Sequence, residues 1–188
     1  MESKLIILLV VSFITCTNKK SATEYNDIAM EIYTSRFLED GNESDSVINV
    51  VLDNLDMAIK TDSNYILAYT NKLDILKTIK RYPEAISVCD DLLKLKAPTG
   101  GLFLQKGVLF EKLGQKNEAL EMYQLASQML KGKNNLEEAV TKFLLNDSVS
   151  AQNSLKNLKE LNPRDSAMIN EFIGILSSKN RNEILEMF

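Results

Sequence analysis

Few side chains in these 188 residues are equipped for catalysis. Histidine is absent, which removes the commonest general base and metal ligand. The two cysteines, Cys16 and Cys89, make no motif pair of the kind that zinc or redox work uses. Gly100-Gly101 lacks the Lys-Ser/Thr that completes a phosphate-binding loop. The carboxylates of Asp90-Asp91 and Glu137-Glu138 are sequence neighbours, so on a helix each pair diverges by about 100°. They read as solvated charges, not as acid–base couples. The expectation is therefore of no enzyme, no metal, no cofactor and no small-molecule substrate. Cys16 stands apart by its position, because it closes an apolar run.

That run, Leu5-Ile6-Ile7-Leu8-Leu9-Val10-Val11-Ser12-Phe13-Ile14, follows Lys4 and gives way to Thr17-Asn18-Lys19-Lys20. It has the plan of a secretory signal peptide and is shorter than the roughly 20 residues needed to span a bilayer. With Cys16 at its end, it resembles the precursor of a bacterial lipoprotein, which is cut before a cysteine that then carries the lipid. Phe13 and Thr15 depart from the usual leucine and small residue of that box, and Glu2 from its positive start. The resemblance implies a signal peptide over residues 1–15, a lipidated linker over 16–23, and a protein anchored in the bacterial envelope, at the outer membrane or the periplasmic face. A plain signal peptide, or an uncleaved anchor with Cys16 incidental, is the alternative. A lipidated Cys16 leaves Cys89 without a disulfide partner. Cys89 then reads as a small buried hydrophobe, with a reactive thiol as the lesser alternative.

The elements beyond residue 23 repeat. Ala85, Cys89 and Leu92 return as Ala119, Tyr123 and Ala126 at a period of 34 residues, and one period earlier the same slots hold Val51, Leu55 and Ala58. Small and apolar residues at fixed offsets are what stacked helical hairpins need where helices cross. The clearest unit reads Phe103…Gly107…Phe110…Leu113-Gly114…Ala119-Leu120…Tyr123…Ala126. The unit before it reads Ala68-Tyr69…Leu73…Leu76…Ile79…Tyr82-Pro83-Glu84-Ala85, with Leu73 in the slot that Gly107 occupies. A first unit pairs residues 24–38, with Ala29 in the small slot, with residues 44–61. Its join is overlong, broken at Gly41-Asn42 and capped from Ser44 or Asp45. A fourth keeps Ala139, Ala151 and Leu155 but turns two residues sooner at Asn146-Asp147-Ser148, and Asn134 is placed to cap its first helix. A last amphipathic helix carries Met168, Ile169, Phe172, Ile173 and Leu176 on its apolar side and would solvate the end of the stack. Residues 179–188 read as a tail that forms a short helical turn or frays.

This pattern resembles the tetratricopeptide repeat (TPR) over residues 24–178. The resemblance implies an all-α, right-handed α-solenoid of about four stacked antiparallel hairpins plus a C-terminal capping helix. It also implies that the first helix of each hairpin lines a concave face that binds a protein or peptide. The partner-facing candidates on that face are Asn71, Asp74, Gln105, Val108, Glu111 and Val140. The carboxylate clamp of the best-known TPR ligand mode is not kept, because Gln105 stands where Arg or Asn would be expected and Asp74 would repel a carboxylate. The surplus of 26 Asp+Glu over 22 Lys+Arg gives no electrostatic reason to bind nucleic acid. The expected function is that of a lipid-anchored adaptor of the envelope. A subunit of an outer-membrane biogenesis or secretion assembly is the alternative.

Overall fold

Ser21 opens the first helix. Its hydroxyl accepts from the Glu24 N–H, and the Glu24 carboxylate accepts from the Ser21 N–H at 2.7 Å, a reciprocal capping box that starts the helix at Ala22, two residues before the expected repeat boundary. The computed structural model describes residues 19–39, 44–95, 99–178 and 181–187. The apolar run, Cys16 and the Gly41-Asn42 break lie outside them.

The described chain is helical throughout its elements: α1 (Ala22–Ile32), α2 (Asp45–Thr61), α3 (Ile66–Thr78), α4 (Tyr82–Leu95), α5 (Gly100–Lys112), α6 (Lys116–Leu130), α7 (Leu136–Leu144), α8 (Ser148–Leu161), α9 (Ser166–Ser178) and α10 (Arg181–Glu186). A π-helical stretch, Tyr33–Glu39, prolongs α1. Consecutive pairs α1–α2, α3–α4, α5–α6 and α7–α8 form the four hairpins, and each second helix packs on the first helix of the next pair. The second helix of the last pair packs on α9 in the same way.

The repeat slots are the core. Val51, Leu55, Ala58, Ala85, Cys89, Ala126, Ala151 and Leu155 are all fully buried, and Tyr123 nearly so. Burial pushes the Cys89 thiol up to about 12, outweighing the nearby Lys106 and Lys77 charges, so it sits in the wall as a neutral hydrophobe. Two apolar clusters result. One spans the first two hairpins and takes in Leu109 from α5. The other spans the last two hairpins with α9 and α10. Leu73, in the slot that Gly107 occupies one unit later, is buried in the first cluster. Met168, assigned to the apolar side of the last helix, is instead exposed, whereas Ile169, Phe172 and Leu176 are buried.

Three first helices end in the same way. Lys80, Gly114 and Asn146 adopt φ of 59°, 77° and 66°. In each, the next N–H reaches back to a carbonyl five residues earlier: Arg81 to Leu76 at 2.9 Å, Gln115 to Phe110 at 2.9 Å and Asp147 to Lys142 at 2.9 Å. This is the Schellman ending, which needs a left-handed residue and is easiest for glycine. Lys80 holds that conformation with a Cβ, at a cost of roughly 1–2 kcal/mol for an L-residue. Lys80→Gly is therefore expected to raise stability by about 0.5–1 kcal/mol once glycine's greater unfolded-state entropy is subtracted, and a urea titration would measure it. An unchanged or lowered midpoint would remove this account.

The fourth hairpin begins differently from the sequence expectation. Asn135, not Asn134, is the cap: its Oδ1 accepts from the Glu138 N–H at 2.9 Å. Asn134 is used one step earlier, in the left-handed conformation at φ 50°, to reverse the chain after α6. Glu138 is likewise not a solvated charge. It is 4% exposed and accepts from the N–H groups of Gly132 at 3.0 Å and Asn134 at 2.8 Å and from Lys142 Nζ at 2.8 Å.

Candidate binding face

The first helices α3, α5 and α7 bring the sequence-predicted residues to one side of the stack, where they meet different fates. Val108 and Val140 are fully buried and belong to the second apolar cluster, so they present no surface to a partner. Leu104, Phe143 and Leu144, which share their helix face, are buried with them. Ile184 and Leu185 of α10 belong to the same cluster.

Asn71 is spent on structure. Its Nδ2 donates to Asn26 Oδ1 at 2.7 Å, tying α3 to α1, and Asn26 is itself only 3% exposed. Buried amides persist when they have such a partner. Asn26 went unnoticed in the sequence because nothing in the period marks it.

Glu111 is also engaged, by a residue that repeat reasoning missed. Arg181 at the start of α10 donates from Nε to Glu111 Oε1 at 2.5 Å and from Nη2 to Oε2 at 2.8 Å, and its Nη1 reaches the Leu144 carbonyl at 3.0 Å. Tyr123 Oη donates to the same carboxylate at 2.7 Å. Burial alone would raise the Glu111 carboxyl, but the hydrogen bonds from Arg181 and Tyr123 and the guanidinium charge outweigh it and hold the carboxyl below its ordinary range. Burial, with that carboxylate beside it, pushes the Tyr123 phenol upward, so it stays a donor. Arg181 carried no signal in the sequence, because it lies beyond the last repeat slot. The segment expected to turn or fray is thus a helix with a polar anchor and two buried aliphatic side chains.

Asp74 and Gln105 remain available. They line a cleft of about 270 Å³ with Thr70, Ile66, Leu73, Leu92, Leu102 and Glu137. Asp74 is well exposed and reaches Lys77 only at 3.5 Å. Gln105 is the telling residue. Its Oε1 is buried and has no hydrogen-bond partner. A buried amide oxygen without a donor forfeits about 1–3 kcal/mol, which a bound N–H group would recover. The Glu137 carboxylate lies where a side chain on residue 101 would be, 2.4 Å from the position of a Cβ, so Gly101 lets an acidic group line the cleft floor.

No protein-family model matches the chain, and none of the curated proteins matches it. Solved structures do. The crystal structure of YrrB, a TPR protein with an unusual peptide-binding site, matches over 90% of this chain and 82% of its own, with 20% identity and a TM-score of 0.52. The crystal structure of the MamA protein matches over 87% of this chain and 88% of its own, with 13% identity and a TM-score of 0.51. The fold is an all-α, TPR-like solenoid. In this TPR-like chain the concave side is divided in two: a cleft at Gln105 with an unsatisfied acceptor, and a region around Glu111 that α10 already fills. Among the described residues, no helix is long and apolar enough to cross a membrane.

Proposed function

We propose that this TPR-like chain is an adaptor that holds a protein partner through an extended peptide segment in the Gln105 cleft, and that Cys16 tethers it by a lipid to the bacterial envelope. The observation that carries the binding reading is Gln105, which lines the cleft and whose Oε1 is buried without a partner. A peptide backbone supplies the N–H that Gln105 lacks. Ile66, Leu73, Leu92 and Leu102 take an apolar side chain of the peptide, and Asp74 with Glu137 favours a cationic neighbour. That YrrB, of similar fold, has a peptide-binding site supports the class of ligand. The tether rests on the signal-peptide plan and the position of Cys16.

One experiment tests both parts. A photo-reactive side chain at Thr70, on the rim of the cleft, is introduced into the full chain in native membranes. One discrete crosslinked partner is expected, with its yield reduced at least fivefold by Gln105→Leu, which cannot accept an N–H. A crosslink pattern indifferent to Gln105→Leu overturns the cleft reading. Cys16→Ser is expected to move the chain to the soluble fraction with an altered mass. Unchanged membrane association and mass overturn the tether.

A further inference from the structure

The helix α10 lies on the concave side as a ligand would. It has six residues, too few to be a stable helix without docking. Its contacts are of two kinds: the Arg181 guanidinium forked onto Glu111, and Ile184 and Leu185 buried in the second apolar cluster. Arg181, Ile184 and Leu185 fall at i, i+3 and i+4, the spacing by which an amphipathic helix lays one face into a groove. The receiving surface is larger than the segment upon it. A cleft of about 570 Å³ continues beside Arg181 and Leu185, lined also by Leu120, Lys116, Asn146 and Asn182, and Leu120 is 47% exposed there.

We infer that the surface around Glu111 and Tyr123 is a second recognition site, for a partner helix that presents an arginine followed at i+3 and i+4 by two aliphatic residues, and that α10 occupies it as an internal competitor. The inference deepens the adaptor reading and rests on it. Each part has a chemical reason. Glu111, held ionised and already accepting from Tyr123 Oη, offers two oxygens in the plane that suits a guanidinium fork and not the single ammonium of lysine. The Leu144 carbonyl accepts the remaining guanidinium edge. A partner helix longer than α10 extends over Leu120 and buries apolar area that α10 leaves in water. It needs that advantage, because a short tether gives α10 an effective concentration on the order of millimolar.

The test uses the full chain and a fluorescent peptide with the sequence of residues 181–187, Arg-Asn-Glu-Ile-Leu-Glu-Met, followed by anisotropy. The Arg181→Ala chain, whose own competitor is weakened, is expected to bind the peptide about tenfold more tightly than the unaltered chain. Replacing the arginine of the peptide by alanine is expected to abolish that binding, as is Glu111→Gln added to the Arg181→Ala chain. Arg181→Lys serves as a second chain in case Arg181→Ala fails to fold. It keeps a positive charge on Glu111 but loses the fork, and it should bind the peptide severalfold more tightly than the unaltered chain. Equal affinity in the unaltered and altered chains, absence of binding to every folded variant, or binding that ignores the arginine of the peptide overturns the inference. Since Thr70 and Gln105 lie in the other cleft, a crosslink indifferent to Gln105→Leu with peptide binding intact overturns the Gln105 cleft alone, and a crosslink lost on Gln105→Leu without peptide binding overturns this inference alone.

Discussion

Glu138→Ala is expected to lower stability by about 3 kcal/mol, the cost typical of removing one partner from a buried ion pair with its hydrogen bonds. The carboxylate is 4% exposed and receives the Gly132 and Asn134 N–H groups and Lys142 Nζ. Without it, two N–H groups in the reversal between α6 and α7 lose their acceptor. Lys142 is left with Ser154 Oγ at 2.7 Å. For a chain of this length, thermal unfolding should shift down by roughly 2–4 °C per kcal/mol, so by about 6–12 °C in all. Glu138→Gln keeps the shape and one acceptor and should recover about half. The pH dependence has a definite sign. Burial opposes ionisation of Glu138, but its hydrogen bonds from Lys142, Gly132 and Asn134 prevail and hold the carboxyl below the ordinary 4.5. A depressed carboxyl contributes stability that is complete above the unfolded value and lost as the pH falls through the folded one. The gap between the unaltered chain and Glu138→Ala should therefore close on acidification below pH 4.5. A gap that persists at lower pH would mean that shape, not charge, is what Glu138 supplies.

Gly107→Leu has the next largest expected effect, about 3 kcal/mol of destabilisation, at the upper end of what overpacking costs. A Cβ at residue 107 would stand 2.5 Å from Tyr123 Cε1 and 2.7 Å from Cδ1, and neither helix has slack there. The ring is 1% exposed, and its hydroxyl is bound to Glu111, which Arg181 holds in turn. Gly107→Ala places its Cβ against the same ring, so its gain of about 1 kcal/mol in helix propensity offsets only part of the clash, and it should still lower stability, by less than Gly107→Leu. A double-mutant cycle separates the causes: in a Tyr123→Leu background the penalty of Gly107→Leu should shrink by at least 1 kcal/mol. An unchanged penalty would place the strain elsewhere than at the ring. Because Tyr123 links the crossing to Glu111, Gly107→Leu should also loosen Arg181, which hydrogen exchange at the Ile184 amide would report.

Much of the architecture was legible in the sequence because it is periodic. Ala85 and Ala119, Cys89 and Tyr123, and Leu92 and Ala126 repeat because the same crossing recurs, and a crossing admits few side-chain volumes. The Schellman endings were partly legible, through Gly114. Lys80 shows why the reading was partial: tertiary packing imposed a left-handed residue where the local sequence offers no glycine. The signal-peptide plan and Cys16 were read from local composition alone and belong to the proposal.

The binding face was legible only as a list of positions. Periodicity places Asn71, Gln105, Val108, Glu111 and Val140 on first helices, but it says nothing of what comes to lie upon them. Asn71 was taken by Asn26 of α1, Val108 and Val140 by the apolar cluster that α10 completes, and Glu111 by Arg181, 70 residues away in the chain. The sequence by itself determined the helical hairpins, their small crossing residues and their order, because those depend on contacts repeated at a fixed spacing. Only the tertiary structure decided which polar groups on the concave side are satisfied and which, like Gln105 Oε1, are not. Hydrogen-bond partners are chosen by proximity in space across elements that share no period, so no spacing in the sequence can announce them.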